Sequence, residues 1–256
     1  MKIGKILLVI ILFLLMLGGC AVEKAAPVVQ TDSDKSMIST KQFSKGGVIG
    51  EYPFVSSGGS KSQITSWNQI IKKDFNKIVN LYSFQSIPGP APGPSEVPPV
   101  ILTIKYETRL NDKILSFLYL ADFNASFTAH PTQLTYTTNI QKKNNQRILL
   151  GDIVQLNEDF VKDFRTWDFI SAEPSNQELN QAIKDYFKEM SDEDILKGLK
   201  HADIIGSGNQ LDVFSYMTPT GLGLSFGVPN YLGDHVEFER AYDKIKKFIK
   251  EPMELP

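Results

Sequence analysis

The sequence predicts an α+β fold with a largely antiparallel sheet and helices packed on one face. Two turn signals separate short apolar runs, at Asn111-Asp112 and at Pro219-Thr220-Gly221, and each predicts a hairpin of antiparallel strands. A long stripe of apolar residues at helical spacing precedes the first hairpin. Hairpin-paired strands and helices that lie apart from them in sequence are typical of α+β domains.

The folded part begins with a strand and a long helix. Residues 46–57 predict the strand, Gly58 and Gly59 end it, and Ser60 or Ser62 caps the helix. The apolar stripe of the helix recurs at steps of three and four residues through Ile64, Trp67, Ile71, Phe75, Ile78 and Tyr82. This spacing predicts one helix face packed on the sheet.

Three strands follow a proline-rich segment. Residues 88–94 alternate Pro with Gly and Ala, which excludes helix and central strand. We interpret them as a loop insertion, and docking to an aromatic groove is the alternative. Strands are predicted at residues 100–108, 114–123 and 134–140, where apolar or β-branched residues alternate or cluster.

The second half alternates helices and strands. Residues 159–190 have a helical pattern interrupted at Glu173-Pro174-Ser175, and Ser191 begins a further helix that runs to residue 199. Two strands are predicted at residues 211–217 and 222–228. A last helix is predicted from the stripe Phe238, Tyr242, Ile245 and Ile249.

The amino terminus has the layout of a secretory signal. Lys2 and Lys5 precede an apolar run over residues 6–17, and Leu17-Gly18-Gly19 leads into Cys20. This stretch resembles the lipobox of bacterial lipoproteins, in which the cysteine becomes the lipidated first residue. An uncleaved membrane anchor is the alternative, although a span needs about 20 apolar residues.

The lipobox sets the domain organisation. Residues 1–19 form the signal, residues 20–45 a flexible tether after the lipidated Cys20, and residues 46–256 the folded domain. A division of that domain into sub-lobes 46–155 and 156–256 stays open. We expect a lipid-anchored protein of the cell envelope: Ala21 favours an outer membrane, facing the periplasm, in a double-membraned cell, and the outer face of the cytoplasmic membrane otherwise.

Cysteine count and charge exclude several function classes. Cys20 is the single cysteine, so its acylation leaves no thiol for a disulfide, a zinc thiolate site or a cysteine nucleophile. Without Lys2 and Lys5, 25 basic residues face 29 acidic residues in the mature chain. This acidic balance argues against a nucleic-acid partner, which favours a basic surface.

No catalytic motif is apparent in the sequence. His130, His201 and His235 share no metal-binding spacing, and Gly206-Ser207-Gly208 lacks the spacing of a nucleophile elbow. We therefore expect no enzyme activity, no metal and no cofactor. A site assembled in space from carboxylates or a histidine stays open as the alternative, and it would suit an envelope hydrolase acting on peptidoglycan or another glycan.

Two loop regions are the expected binding surface. One contains His130-Pro131, in which the proline forces the histidine into an extended conformation, and the other contains Asn230 and His235. Chain turns carry function more often than the sheet that supports them. The alternative is that both histidines only satisfy backbone groups.

Short motifs across the domain resemble one known family. Tyr52-Pro53, Ala129-His130-Pro131, Leu150-Gly151-Asp152-Ile153-Val154 and Pro229-Asn230-Tyr231 follow the order and spacing of the RsiV-type extracytoplasmic domain, called domain of unknown function 3298. The resemblance covers residues 52–250. It implies a non-catalytic binding or sensing module of the cell envelope, with a lysozyme-like protein or peptidoglycan as partner.

Overall fold

The structure, a computed structural model, describes residues 35–82, 101–125, 128, 130–208 and 211–255. The signal, Cys20 and the proline-rich segment 88–94 lie outside these residues. In the described part of the chain, no helix is both long and apolar enough to cross a membrane.

Strands form two separate sheets. The first sheet has the order β1-β2-β3-β4-β5-β6, and only β2 and β3 pair in parallel. Its strands are β1 (Ile38–Lys45), β2 (Val48–Val55), β3 (Leu102–Asn111), β4 (Ile114–Phe123), β5 (Thr132–Gln141) and β6 (Gln146–Arg147). The second sheet, which is antiparallel, has the order β7-β10-β9-β8. Its strands are β7 (Phe169–Ile170), β8 (Val213–Met217), β9 (Gly221–Gly227) and β10 (His235–Ala241).

Side-chain caps mark the starts of the longer helices. The helices are α1 (Lys61–Leu81), α2 (Leu150–Ile153), α3 (Glu158–Phe164), α4 (Gln177–Glu189), α5 (Asp192–Lys200) and α6 (Tyr242–Ile245). Ser60 forms a capping box with Gln63 at the start of α1, and Ser191 caps α5 as the sequence predicts. Two short 3₁₀ turns complete the fold, Asn230–Leu232 and Lys246–Phe248.

Helix α1 packs on one face of the first sheet, as its apolar stripe predicts. The middle of the stripe is buried, and Phe75 lies against Tyr52 with ring centroids 4.7 Å apart. We call this the first cluster; its buried members include Trp67, Ile71, Phe75, Ile78, Leu102, Phe117 and Tyr119. The predicted α+β class is therefore confirmed, with the correction that the strands divide into two sheets.

A second cluster lies between the second sheet and the short helices. It is rich in aromatic rings: Phe160, Phe164, Trp167, Phe226, Phe238 and Phe248. Phe164 of α3 lies 5.0 Å from both the Phe226 and the Phe238 ring centroids. Edge-to-face and offset pairs of this kind add to the stabilisation from burial.

The predicted last helix is wrong over its first part. Residues 235–241 form β10, which pairs with β9 and β7, and helix begins only at Tyr242. Val236 and Phe238 are buried while Glu237 and Glu239 are less so, which is the period of a strand. Phe238 and Tyr242 are four residues apart, as on one helix face, but Phe238 belongs to the strand and Tyr242 begins the helix.

The folded domain also begins earlier than residue 46. Residues 38–45, predicted as tether, form β1 at the edge of the first sheet. Just before β1, Asn111 Oδ1 accepts from the Ser36 amide and Asn111 Nδ2 donates to the Ser36 carbonyl. Most of β1 is exposed, so its polar sequence does not distinguish it from a linker. The described residues from Lys35 onward belong to one compact unit.

Polar side chains join the two sheets at the outer edge of β8. The amide of Ser215 donates to Asp203 Oδ1 (2.6 Å), its carbonyl accepts from Asn139 Nδ2 (2.8 Å), and the amide of Met217 donates to Ser116 Oγ (2.9 Å). Asp203 is fully buried, and its backbone amide donates to the Val213 carbonyl. An edge strand presents unpaired backbone groups, and here side chains satisfy them.

Candidate functional site

The two predicted loop regions meet at the carboxylate of Asp234. The backbone amide of Gln133, just after His130-Pro131, donates to Asp234 Oδ2 at 2.9 Å. Asn230 Nδ2 donates to Asp234 Oδ1 at 3.1 Å. One side chain therefore fixes both segments in one place. We call His130, Gln133, Asn230, Tyr231 and Asp234 the loop surface.

Backbone conformation and one backbone hydrogen bond fix the turn before β10. Gly233 and Asp234 both have positive φ, 100° and 67°, and the amide of Val228 donates to the Asp234 carbonyl at 2.8 Å. Glycine adopts this region freely, and aspartate tolerates it better than most residues. Leu232 is buried and holds the turn to the second cluster.

Tyr231 projects from this turn into solvent. Tyr231 is 72% exposed. Among the described residues, the next most exposed large hydrophobic residue is Met37, at 69%. The neighbouring Asn230 is tied to Asp234 and Leu232 is buried, so the backbone under the ring is fixed. Sequence reasoning named Asn230 and His235 but neither Tyr231 nor Asp234 as site residues, because exposure and the carboxylate bridge arise only from the folded turn.

His130, in the first of the two loop regions, is exposed. Its Nδ1 lies 3.1 Å from the carbonyl oxygen of Pro131, the following residue. This contact agrees with the alternative that the histidine satisfies a backbone group. Residues 126, 127 and 129, which precede it, lie outside the described residues.

His235 is half-buried and follows Asp234 of the loop surface in the chain. It begins β10, and its Nδ1 is buried without a hydrogen-bond partner among the described residues. Burial lowers the pKa of His235 below its ordinary value, although nearby Glu237 and Asp234 act in the opposite direction. The imidazole is therefore neutral at neutral pH, and its contribution to the loop surface is the backbone that carries Asp234.

Next to His235, an ion pair joins the two sheets. Arg109 Nη2 lies 3.3 and 3.2 Å from the Glu237 carboxylate oxygens, and Tyr216 donates its hydroxyl to Glu237 Oε2 at 2.7 Å. Arg109 lies at a β-bulge of β3, which turns its side chain toward β10. Gly223 leaves room for the Tyr216 ring, because a Cβ there would lie 2.1 Å from it. Burial raises the pKa of Tyr216, so the phenol stays a donor.

Chemically, the loop surface suits recognition. It offers an aromatic ring, an amide and an imidazole on a fixed backbone. Within the described ranges, no group of three or more His, Cys, Asp or Glu residues is arranged to hold a metal ion. Asp203, whose pKa burial raises, accepts hydrogen bonds from Thr137, Ser215 and the Leu150 amide, and its contacts close the edge of β8.

Comparison with solved structures shows similarity to two bacterial proteins. No protein-family model matches the chain, and no curated protein matches it. A DUF3298 family protein from Pseudomonas aeruginosa PAO1 is similar at 12% identity and a TM-score of 0.46, over 85% of this chain and 94% of that one. A DUF3298 family member from Bacteroides fragilis NCTC 9343 is similar at 13% identity and a TM-score of 0.39, over 84% and 92%.

Proposed function

We propose that this chain is a lipid-anchored, non-catalytic binding module of the cell envelope. Cys20 carries the lipid, and the loop surface contacts a wall-associated protein or glycan, either a lysozyme-like protein or peptidoglycan. The anchor lies in an outer membrane, facing the periplasm, or on the outer face of the cytoplasmic membrane in a cell with one membrane. The observation that carries the proposal is the exposed Tyr231 on a turn fixed by Asp234.

Rigid exposed aromatic residues suit binding for a physical reason. A tyrosine offers a large amphipathic area and loses little conformational entropy when it is buried by a partner. Binding hot spots are accordingly enriched in tyrosine. Because the Asp234 carboxylate bonds both Asn230 and the backbone of Gln133, this backbone needs no reordering on contact.

The anchor is tested by the variant Cys20→Ala. We expect the wild-type chain to incorporate a radioactive fatty acid in bacterial cells and the variant to incorporate none and to accumulate as precursor. Equal labelling of the two chains would contradict lipidation at Cys20. A Ser36→Ala variant, which keeps the cysteine, is the matched control for expression and export.

The loop surface is tested by removing its exposed side chains. The mature chain should be captured by peptidoglycan or by lysozyme in a pull-down, and Asn230→Ala with Tyr231→Ala should weaken that capture at least tenfold, as loss of a hot-spot residue does. Ile170→Ala, at a half-exposed apolar residue of β7, is the control and should bind as wild type. A folded double variant with unchanged affinity would remove the loop surface from consideration.

The alternative enzyme class has its own outcome. The wild-type chain should release no soluble fragments from peptidoglycan over hours at a concentration where lysozyme digests it. Clear hydrolysis by the wild type would overturn the binding-module proposal in favour of an envelope hydrolase. Variants of the histidines and of the half-buried carboxylates would then locate the site.

A further inference from the structure

An aromatic pocket lies between α4 and the segment that joins α3 to β7. Its volume is about 610 Å³, within the range of roughly 300–1,000 Å³ that is typical of small-molecule sites. We call it the ring pocket. Five aromatic side chains line it: Phe164, Trp167, Phe169, Phe187 and Phe238. Phe169 and Phe187 are half-buried and the other three are buried, so the pocket extends down to the second cluster.

Hydrogen bonds attach α4 to the opposite wall near both of its ends. Near the start of α4, Ser171 Oγ donates to Asn180 Oδ1 at 2.6 Å. At its other end, Arg165 Nη1 donates to the Phe187 carbonyl at 3.0 Å, and Arg165 Nη2 donates to the Met190 carbonyl at 2.6 Å. The walls are therefore preformed, and a ligand would lose little free energy to their reorganisation.

One face of α4 gives the rim of the pocket a positive charge. Asn180, Lys184 and Lys188 recur every four residues along α4, and all three line the pocket. Ile183 and Phe187 form an apolar stripe beside them. Both lysines are exposed, and within the described ranges neither forms an ion pair or a hydrogen bond. The structure describes α4 over its whole length, and none of its acidic residues lines the pocket.

The opposite rim contains one carboxylate. Asp168 lies between α3 and β7, is exposed and lines the pocket. It has no hydrogen bond or ion pair with another residue in the described part of the chain. The guanidinium group of Arg165 also lines the pocket, but it is already bonded to Asp192. The unpaired charges at the rim are thus two lysines on α4 against one aspartate on the other wall.

We propose that the ring pocket binds a small aromatic carboxylate, with its ring among the aromatic side chains and its carboxylate at Lys184 and Lys188. Aromatic rings pair in edge-to-face and offset arrangements, which favours a flat apolar ligand. Burial of the ring supplies most of the affinity, and each exposed ion pair adds at most about fivefold. No residue of the loop surface lines this pocket, so the inference goes beyond the binding function proposed above.

The test uses the mature chain without lipid and naphthoate as the probe. Trp167 and Trp67 are the two tryptophans of the chain, so an NMR spectrum contains one indole N–H signal from each. Naphthoate should shift the Trp167 signal and leave the Trp67 signal, which belongs to the first cluster, unchanged. Calorimetry should show that naphthamide, which has the same ring without the charge, binds at least about fivefold more weakly.

Charge variants test the rim of the pocket. Lys184→Gln with Lys188→Gln should weaken naphthoate binding at least about fivefold and leave naphthamide binding unchanged. Lys184→Arg with Lys188→Arg keeps both charges and should bind naphthoate as wild type does. Asp168→Asn should strengthen naphthoate binding about twofold, because it removes the opposing carboxylate. Lys72→Gln with Lys73→Gln, at exposed positions of α1, is the matched control and should bind as wild type.

Any of four results would overturn the proposal. Equal affinity for naphthoate and naphthamide would show an apolar pocket that does not select anions, and equal loss in the α1 control would show an effect of net charge. Tighter binding of decanoate than of naphthoate would assign the pocket to alkyl chains. An unchanged Trp167 signal would place the probe elsewhere on the protein. Asn230→Ala with Tyr231→Ala should bind naphthoate as wild type, so the ring pocket and the loop surface can fail independently.

Discussion

The two apolar clusters of this domain are built from elements of very different length. The first cluster is formed by α1, with 21 residues, on strands of eight and ten residues. The second is formed by helices of four to thirteen residues packed on strands of two to seven residues. Long elements repeat their pattern often enough to be identified locally. Short elements repeat no such pattern, and their position depends on packing against the aromatic rings that they surround.

The largest expected effect comes from removing the central side chain of the first cluster. Trp67→Ala should lower the free energy of unfolding by about 3–5 kcal/mol, because it removes a fully buried indole and leaves a cavity. Gln69→Ala, an exposed position of the same helix, should change it by less than about 0.5 kcal/mol. Urea unfolding followed by circular dichroism measures both.

The same variant tests whether the clusters unfold together. Trp167 is the remaining tryptophan and lies in the second cluster. Its fluorescence should change at the same urea concentration as the circular dichroism signal, since the sheets share polar contacts at β8. Two separate transitions would show that the clusters are independent, and a small loss in Trp67→Ala would show that the first cluster repacks.

The second prediction concerns the junction of the sheets. Asp203→Asn replaces an acceptor that takes bonds from Thr137, Ser215 and Leu150 by a group with only one acceptor oxygen. Each buried donor left unpaired costs about 1–3 kcal/mol. In Asp203→Asn, the free energy of unfolding should decrease, and hydrogen exchange at the Ser215 and Met217 amides should become faster. Asp168→Asn, at an exposed position, should alter neither, and unchanged exchange in Asp203→Asn would contradict the role of Asp203 at the edge.

The smallest effect is a pH dependence at His235. Burial lowers its pKa in the folded state, so the unfolded chain binds the proton more readily. The contribution of His235 is thus complete above the unfolded pKa of about 6.5 and is lost as the pH falls below it. The unfolding free energy of the wild type should decrease between pH 7 and pH 5 more than that of His235→Gln. Parallel curves for wild type and His235→Gln would refute the assignment.

The sequence predicts the first region closely for physical reasons that act locally. The capping box at Ser60 and the stripe of α1 lie within one helix, and the Asn111-Asp112 turn fixes the hairpin of β3 and β4. The sequence does not indicate the edge strand β1, because its exposed residues need not be apolar. Phe238 and Tyr242 have helical spacing although they belong to different elements, so the pattern predicts helix where the structure has β10.

The candidate site shows the same division. Sequence alone indicated the loops of His130 and of Asn230 with His235, because proline and turn residues mark connections. Only the fold brings the loops together, since the Asp234 carboxylate reaches Gln133 across 101 positions of the chain. The fold also leaves His235 half-buried and Tyr231 exposed, and no local pattern encodes that difference.

The sequence by itself determined the α+β class, the long helix, the hairpins and the composition limits on chemistry. Those features follow from residue periodicity and turn preferences, which act over a few positions. The tertiary structure decided the division into two sheets, the closure of β8 by Asp203, Asn139 and Ser116, and the meeting of the loops at Asp234. Such contacts join residues distant in sequence, and their stability arises only when burial makes each unpaired polar group costly.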